Sequence, residues 1–184
     1  VIALSTASAA SVTGLAFISP IILLIKNHYN TSSNEVQLTI TIYLVAICIS
    51  QIFWGPLSDV IGRRVVLIIG ASLFSLGGIL ASLNSAFEVF VFFRFLQGIG
   101  AAACLSMPRV MLTESYGVKK AAAKMSTLLA FMAIFPILSA AFGGYIGENY
   151  GWQINFFTLF VFGGIVFSLN YAFSPETIKN KSER

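Results

Sequence analysis

Six apolar stretches, each about as long as a bilayer is thick, constrain the fold of this chain more than any other feature. A helix needs about 20 mostly apolar residues to cross the hydrocarbon core, where backbone groups find no other hydrogen-bond partner. Hydrophobic residues make up 57% of the 184 residues and charged residues only 10%, which excludes the soluble globular class. The sequence predicts an all-α membrane protein with six transmembrane helices, at Ile2 to Ile25, Val36 to Leu57, Val65 to Leu83, Glu88 to Leu112, Met125 to Gly147 and Trp152 to Phe173.

Basic residues predict the orientation of these helices, because Lys and Arg near span ends are retained on the cytoplasmic side. Lys26 is the only Lys or Arg in the odd-numbered loops. Apart from Arg94, which lies inside the fourth stretch, the other bases flank the even-numbered loops or lie in the tail: Arg63, Arg64, Arg109, Lys119, Lys120, Lys124, Lys179, Lys181 and Arg184. Both termini are therefore expected in the cytoplasm. Residues 1–174 are expected to form the transmembrane domain, and residues 175–184 a basic cytoplasmic tail or the start of an interdomain linker. The net charge of +4 reflects this asymmetry and does not indicate a nucleic-acid surface.

An internal repeat relates two of the expected turns. The glycine and acidic positions of the second loop recur with the same spacing in the fifth loop, as Gly55, Asp59 and Gly62 followed by Gly144, Glu148 and Gly151. By the expected topology the two turns face opposite sides of the membrane. The repeat predicts two inverted three-helix units, an arrangement common in transporters.

The run from Gly55 to Arg64 combines hinge residues with charges. Gly55 and Gly62 allow unusual backbone angles, and Pro56 is expected to limit continuation of the helix. We expect a conformational latch at the cytoplasmic end, with Glu114 as the partner of Arg63. Its members would be Gly55, Asp59, Gly62, Arg63, Arg64 and Glu114. The alternative is a tight turn that only follows the positive-inside rule.

Arg94 lies roughly 9 Å inside the fourth stretch, at 1.5 Å per residue. Such an arginine can snorkel towards the interface, which would relieve the cost of its charge. However, Gln97, Gly98 and Ala101 share its helical face, where lipid would favour large apolar groups. We therefore expect Arg94 and Gln97, together with Tyr43, to face the substrate or to orient a neighbouring helix.

Small residues mark two expected packing surfaces. Gly98 and Gly100 lie in the fourth stretch, and Gly143 and Gly144 in the fifth. Glycines let helix backbones approach closely in a membrane. These four residues are expected to permit close, sliding contacts between helices.

Enzymatic chemistry is not indicated. The only histidine, His28, lies in an outer loop without a serine, cysteine or carboxylate that the sequence places beside it. Cys48 and Cys104 fall within apolar stretches and lack metal-ligand neighbours. The sequence therefore predicts neither a metal site nor a cofactor.

Two runs resemble signatures of the major facilitator superfamily. The loop signature Gly-x-Leu-x-Asp-x-x-Gly-Arg-Arg is matched by Gly55, Leu57, Asp59, Gly62, Arg63 and Arg64. The fourth-helix signature of the drug:proton antiporter branch, Arg-x-x-Gln-Gly-x-Gly-Ala-Ala, is matched by Arg94, Gln97, Gly98, Gly100, Ala101 and Ala102. With its Pro-Glu-Thr ending at Pro175 to Thr177, the chain most resembles the N-terminal six-helix half of the bicyclomycin-resistance (Bcr/CflA) group.

This resemblance implies efflux of drugs or other small molecules by alternating access, coupled to protons, in the bacterial inner membrane. The implied partners are the lipid bilayer, the small-molecule substrate, protons, and either a second six-helix half or a second copy of the chain. Nucleic acid is not among them.

Departures from the signatures support an alternative. The acidic residue common in the first helix of the group falls at Ala16, and the base after the loop aspartate is replaced by Val60. The fifth-helix signature keeps only the pair Gly143 and Gly144. No carboxylate lies deep in any expected helix. The alternative is a truncated remnant or interaction module that keeps the fold without transporting.

Overall fold

The computed structural model describes residues 1–83 and 86–177, which form helices joined by short turns. Six of its helical segments are long and apolar enough to cross a membrane, and we call them the first to sixth spans: Ile2–Tyr29, Ser33–Ile61, Arg63–Ser82, Phe87–Gly117, Lys119–Tyr150 and Trp152–Phe173. The expected all-α fold of six spans is confirmed, and each expected stretch agrees with its span to within one residue or lies inside it. The tail bases Lys179, Lys181 and Arg184 lie outside the described residues.

The first span is not one continuous helix. An α-helix over Ile2–Ala16 is followed by a 3₁₀ turn over Ser19–Ile21 and a second α-helix over Ile22–Tyr29. Pro20 lies in the 3₁₀ turn, and proline disrupts an α-helix because it lacks the N–H and its ring clashes with the preceding turn. The α-helix is therefore interrupted where the apolar pattern alone predicts one continuous helix.

A capping box starts the second span. Asn30 ends the preceding helix in the left-handed conformation, with φ of 51°. The Glu35 N–H then donates to Ser32 Oγ at 3.2 Å, and the Ser32 N–H donates to Glu35 Oε2 at 2.7 Å. These bonds satisfy backbone donors that the new helix leaves free, so the chain reverses direction within a few residues.

The second span continues through Pro56 to Ile61, so the expectation that Pro56 limits the helix is wrong. A proline removes one backbone hydrogen bond, a loss that membrane helices tolerate when neighbouring groups take up the freed carbonyl. The reversal occurs instead at Gly62 alone, with φ of +115° and ψ of 143°. That backbone conformation strongly favours glycine.

Gly151 repeats this reversal between the fifth and sixth spans, with φ of +90° and ψ of 155°. Both glycine N–H groups donate to the carbonyl four residues earlier, that of Ser58 or Gly147, at 3.1 Å. The two glycines belong to the internal repeat found in the sequence. Because successive spans alternate in direction, the two turns lie at opposite ends of the bundle, as inverted repeats require.

The centre of the bundle lies among the first, third and fourth spans, whose apolar stretches are about half buried. The third span packs on the fourth and sixth spans. The first span packs on the fourth and fifth spans, which meet at Gly117. The fifth span is the least buried of the six, at 11% of its apolar stretch. Its outer face is therefore available to lipid or to a partner.

Candidate functional site

Arg63 is the centre of a charge cluster at one end of the bundle. Its Nη2 lies 2.5 Å from Asp59 Oδ1 and 3.2 Å from Glu114 Oε1, and its Nη1 donates to Ser58 Oγ. The arginine begins the third span, Asp59 lies in the last turn of the second, and Glu114 lies near the end of the fourth. The structure thus brings together three members of the expected latch across three spans.

The segment after the sixth span joins the same cluster. Glu176 Oε1 accepts a hydrogen bond from the Arg63 N–H at 3.0 Å, at the positive N-terminus of the third span. Thr177 Oγ1 donates to Glu114 Oε2 at 2.5 Å. Sequence reasoning noted Pro175 to Thr177 only as part of a resemblance and missed both contacts. The signal that could have found them was an acid and a hydroxyl directly after an apolar span.

Arg64 lies apart from these charges, whereas the Gly55 carbonyl accepts a hydrogen bond from Arg63 Nη1 at 3.4 Å. Arg64 Nη2 donates to the Tyr171 carbonyl, and its guanidinium lies 5.6 Å from the centre of the Tyr171 ring. Consecutive residues in a helix point in different directions, so Arg64 reaches the sixth span while Arg63 reaches the fourth. A Cβ at Gly55 would meet no atom within 4 Å, so Gly55 does not serve close packing within the described residues.

The pairing of Arg63 with Glu114 can be measured with a double-mutant cycle on the purified protein in detergent. For Arg63→Ala and Glu114→Ala we expect a coupling free energy of about 0.5–1.5 kcal/mol, because the pair is partly screened and bonded through two guanidinium nitrogens. The matched cycle of Arg64→Ala with Glu114→Ala should be additive. Equal coupling in both cycles would contradict the specific pairing.

A second polar cluster lies in the bundle core around Arg94, whose side chain is fully buried. Its Nη1 lies 2.5 Å from Gln97 Oε1, and its Nη2 donates to the Gly14 carbonyl at 3.2 Å. The Tyr43 ring centre is 4.3 Å from the guanidinium carbon, and that of Phe156 is 5.7 Å away. We call these five residues the Arg94 cluster. The guanidinium faces protein, so the snorkelling alternative does not describe this structure.

The Arg94 cluster ties the first span to the second and fourth. Tyr43 donates its hydroxyl hydrogen to the Ser11 carbonyl at 2.7 Å, one turn before the Gly14 carbonyl that Arg94 holds. Of the two roles expected for Arg94 and Gln97, the observed contacts fit the orientation of a neighbouring helix. Both side chains are fully buried and do not reach an open surface.

The Arg94 cluster contains no carboxylate. In the described part of the chain, the acidic residues lie near helix ends or in turns, at Glu35, Asp59, Glu88, Glu114, Glu148 and Glu176. The ion pairs found there are those of Arg63. Arg94 Nε and Gln97 Nε2 are also buried without a hydrogen-bond partner. Arg94 is thus held by carbonyl oxygens and aromatic faces, and its charge is not neutralised locally.

Gly98 and Gly100 lie where the fourth span crosses its neighbours. A Cβ at Gly98 would lie 2.6 Å from the Tyr43 carbonyl oxygen of the second span, and one at Gly100 would lie 2.5 Å from the Gly70 carbonyl oxygen of the third. Real Cβ atoms do not approach backbone atoms so closely. Only glycine allows these two crossings.

The glycine pair of the fifth span faces the first span. A Cβ at Gly143 would lie 3.1 Å from Phe17 Cδ1, and one at Gly144 would lie 3.5 Å from Pro20 Cβ. Ser139, one turn earlier, donates to the Phe135 carbonyl and lies 3.4 Å from Thr13 Oγ1. These small residues form the seam between the first and fifth spans, although the contact at Gly144 is ordinary rather than tight.

A groove runs beside the first span, between the second and fifth spans. We call it the first-span groove. Its volume is about 450 Å³, and its lining consists of Val12, Leu15, Ala16, Ser19, Ile40 and Pro136. Ala16 occupies the position where the resembling group has an acid. The groove therefore presents aliphatic surface and one hydroxyl, and no charged side chain.

The opposite end of the bundle is aromatic. His28 lies 5.2 Å from the Trp152 ring, and Tyr29 lies 5.6 Å from the Phe87 and Phe90 rings. Within the described residues, no group of three or more histidine, cysteine or acidic side chains is placed to hold a metal ion. His28 thus belongs to an aromatic contact between the first, fourth and sixth spans.

Comparison with known proteins identifies the family. The family described as Major Facilitator Superfamily matches residues 4–184. The multidrug resistance protein MdtL of Escherichia coli O81 (strain ED1a) is 30% identical over 148 residues, which is 80% of this chain and 38% of that protein. The MdtL protein of Salmonella paratyphi C (strain RKS4594) is 31% identical over a region of the same length. The chain thus spans well under half the length of these relatives.

Solved structures share the fold at low sequence identity. The xylose transporter XylE of E. coli, in an inward-open conformation, matches with a TM-score of 0.82 and 17% identity, covering 96% of this chain and 48% of that one. A bacterial homologue of the human lysosomal transporter Spinster matches with a TM-score of 0.80 and 16% identity, covering 99% and 45%. At this identity the likeness establishes the architecture alone.

Proposed function

Since the chain belongs to the major facilitator superfamily, a family of membrane transport proteins and not of enzymes, we propose that it is the N-terminal half of a multidrug efflux transporter. The half works against a second six-helix unit by alternating access. The observation that carries this proposal is the similarity to multidrug resistance proteins over 80% of the chain.

The charge distribution supports a cytoplasmic location for both termini. Arg63, Arg64, Lys119 and Lys120 lie at the end of the bundle that carries the charge cluster, whereas Lys26 lies at the aromatic end. Lys and Arg are retained on the cytoplasmic side. The charge cluster then faces the cytoplasm, in the inner membrane of a bacterium.

Each polar cluster has a role in this mechanism. Asp59, Arg63 and Glu114 form a cytoplasmic latch that holds the second, third and fourth spans together in one conformation. The Arg94 cluster, including Gln97 and Tyr43, positions the first span, whose other face lines the first-span groove. The groove is this half's share of the substrate cavity.

The test is drug accumulation in a bacterial host that lacks its major efflux pumps. The natural reading frame that encodes these residues, at its full length, is expressed, and the cellular content of a fluorescent drug is followed over time. We expect a content several-fold below that of the empty-vector control, and loss of the difference when an uncoupler collapses the proton gradient. Equal accumulation in both strains, with the protein present in the membrane, would rule out efflux of that drug.

A second candidate function is a non-transporting interaction module. Within the described residues no carboxylate lies near the middle of a span, and proton-coupled transport normally uses such a group. For this candidate we expect the cellular drug content to equal that of the empty-vector control, both with and without the uncoupler. Efflux that continues in the presence of the uncoupler would instead mean that the protein transports the drug without proton coupling.

A further inference from the structure

We infer that the first-span groove selects apolar compounds that are neutral or anionic and disfavours cations. This inference rests on the proposed efflux function and adds the substrate class. Its basis is the position of an unneutralised guanidinium directly behind an uncharged groove.

The lining of the groove selects for apolar surface. Val12, Leu15, Ile40 and Pro136 are partly buried, and Ser19 is exposed at one end. A volume of about 450 Å³ lies within the range of small-molecule sites. Ser19 is the lining residue whose side chain can donate a hydrogen bond. No side chain in this lining offsets the free-energy cost of removing a positively charged compound from water.

The Arg94 guanidinium lies on the other side of the first span. It donates to the Gly14 carbonyl at 3.2 Å, and Gly14 lies between the groove residues Val12 and Ala16 along the helix. A Cβ at Gly14 would meet Tyr43 and Phe74, so this position faces the core while its neighbours face the groove. The charge and the groove are therefore separated by about one helix diameter, roughly 10 Å.

The field of Arg94 reaches the groove because, among the described residues, no acidic side chain lies near it. An arginine stays protonated at neutral pH. The acidic residues of the described chain lie near the ends of the bundle, and Arg94 is bonded to Gln97 and to a carbonyl group. At roughly 10 Å and an effective dielectric constant of about 20, one unit charge changes the occupancy of the groove by about tenfold. Cations are disfavoured by that factor, and anions are favoured by it.

The test uses three fluorescent compounds with the same aromatic body and a charge of plus one, zero or minus one. Export is measured in everted membrane vesicles that contain the complete natural protein. We expect the neutral and anionic compounds to be exported at least about tenfold faster than the cation. Export of the cation at an equal or higher rate overturns the charge selection while leaving the efflux function intact. If none of the three is exported, the proposed function fails, and the inference fails with it.

Variants in the groove separate charge from shape. Ala16→Glu places a carboxylate in the lining and is expected to raise cation export by about tenfold or more, whereas the size-matched Ala16→Gln keeps the wild-type charge preference. Ser19→Glu, at the exposed end of the groove, is the second variant in case Ala16→Glu does not reach the membrane. If a correctly inserted Glu variant leaves the preference unchanged, the groove does not contact the substrate and the inference is overturned.

Discussion

Replacement of Arg94 by alanine is expected to abolish efflux and to lower the free energy of unfolding by roughly 2–5 kcal/mol. The change leaves Gln97 Oε1 and the Gly14 carbonyl without this donor and opens a cavity beside Tyr43. It also removes the cost of burying a charge, which offsets part of the loss. We expect the lost bonds and the cavity to outweigh this gain, because the side chain is fully buried and holds together three spans.

Arg94→Met separates stability from function. Methionine fills much of the same space without a charge, and buried ionic groups replaced by well-packed apolar ones often cost little stability. We expect a thermal midpoint within a few degrees of wild type together with export of the anionic compound reduced by about tenfold. The matched control is Arg109→Ala in the same span, where the side chain is exposed and contacts Met132 Sδ at 3.7 Å. Wild-type efflux by Arg94→Met would contradict a functional role for the charge.

Local sequence patterns predicted most of the fold. The length of each apolar stretch, and the breaks that contain charge, Asn, Gly or Ser, predicted six spans, because the bilayer leaves a polar backbone no alternative to helix. The repeat of Gly62 and Gly151 also survives in three dimensions, as two single-residue reversals with the same backbone conformation. The 3₁₀ turn at Pro20 was missed because hydropathy does not distinguish a 3₁₀ turn from an α-helix.

The candidate site was only partly predictable. The stripe of Arg94 and Gln97 indicates an inward face, but their contact with Gly14 depends on how the first and fourth spans cross, which no local pattern encodes. The same limit applies to Glu176, whose bond to the Arg63 N–H joins residues 113 positions apart. Charge signs predicted the pair of Arg63 with Glu114, whereas the bond from the Arg63 N–H to Glu176 and the bond from Arg94 to the Gly14 carbonyl needed coordinates.

The fourth span connects the two polar clusters. Glu114 belongs to the charge cluster around Arg63 and Arg94 to the core cluster, and 20 residues of helix separate them, a rise of roughly 30 Å. A helix of this length moves as a rod when its packing permits. The crossings at Gly98 and Gly100 lie between the clusters, so they decide whether the rod can stay close to its neighbours.

Gly98→Leu is therefore expected to prevent the fourth span from packing and to remove most folded protein. Even a Cβ at this position lies 2.6 Å from the Tyr43 carbonyl oxygen and 2.7 Å from Ala46 Cβ. The backbone oxygen cannot rotate away as a side chain can, so the second and fourth spans must separate. That movement also breaks the contact of Tyr43 with Arg94. For the smaller change Gly98→Ala we expect a loss of about 1–3 kcal/mol in the free energy of unfolding.

The matched control is Gly164 in the sixth span, where a Cβ would meet no atom within 4 Å. Gly164→Ala should leave the free energy of unfolding unchanged or raise it by about 0.5–1 kcal/mol, because alanine is the better helix former. Gly164→Leu should be folded. The measurement is the fraction of protein that stays monodisperse in detergent, followed by thermal unfolding of what remains. Equal behaviour of the two leucine variants would mean that the second and fourth spans are not in close contact at Gly98.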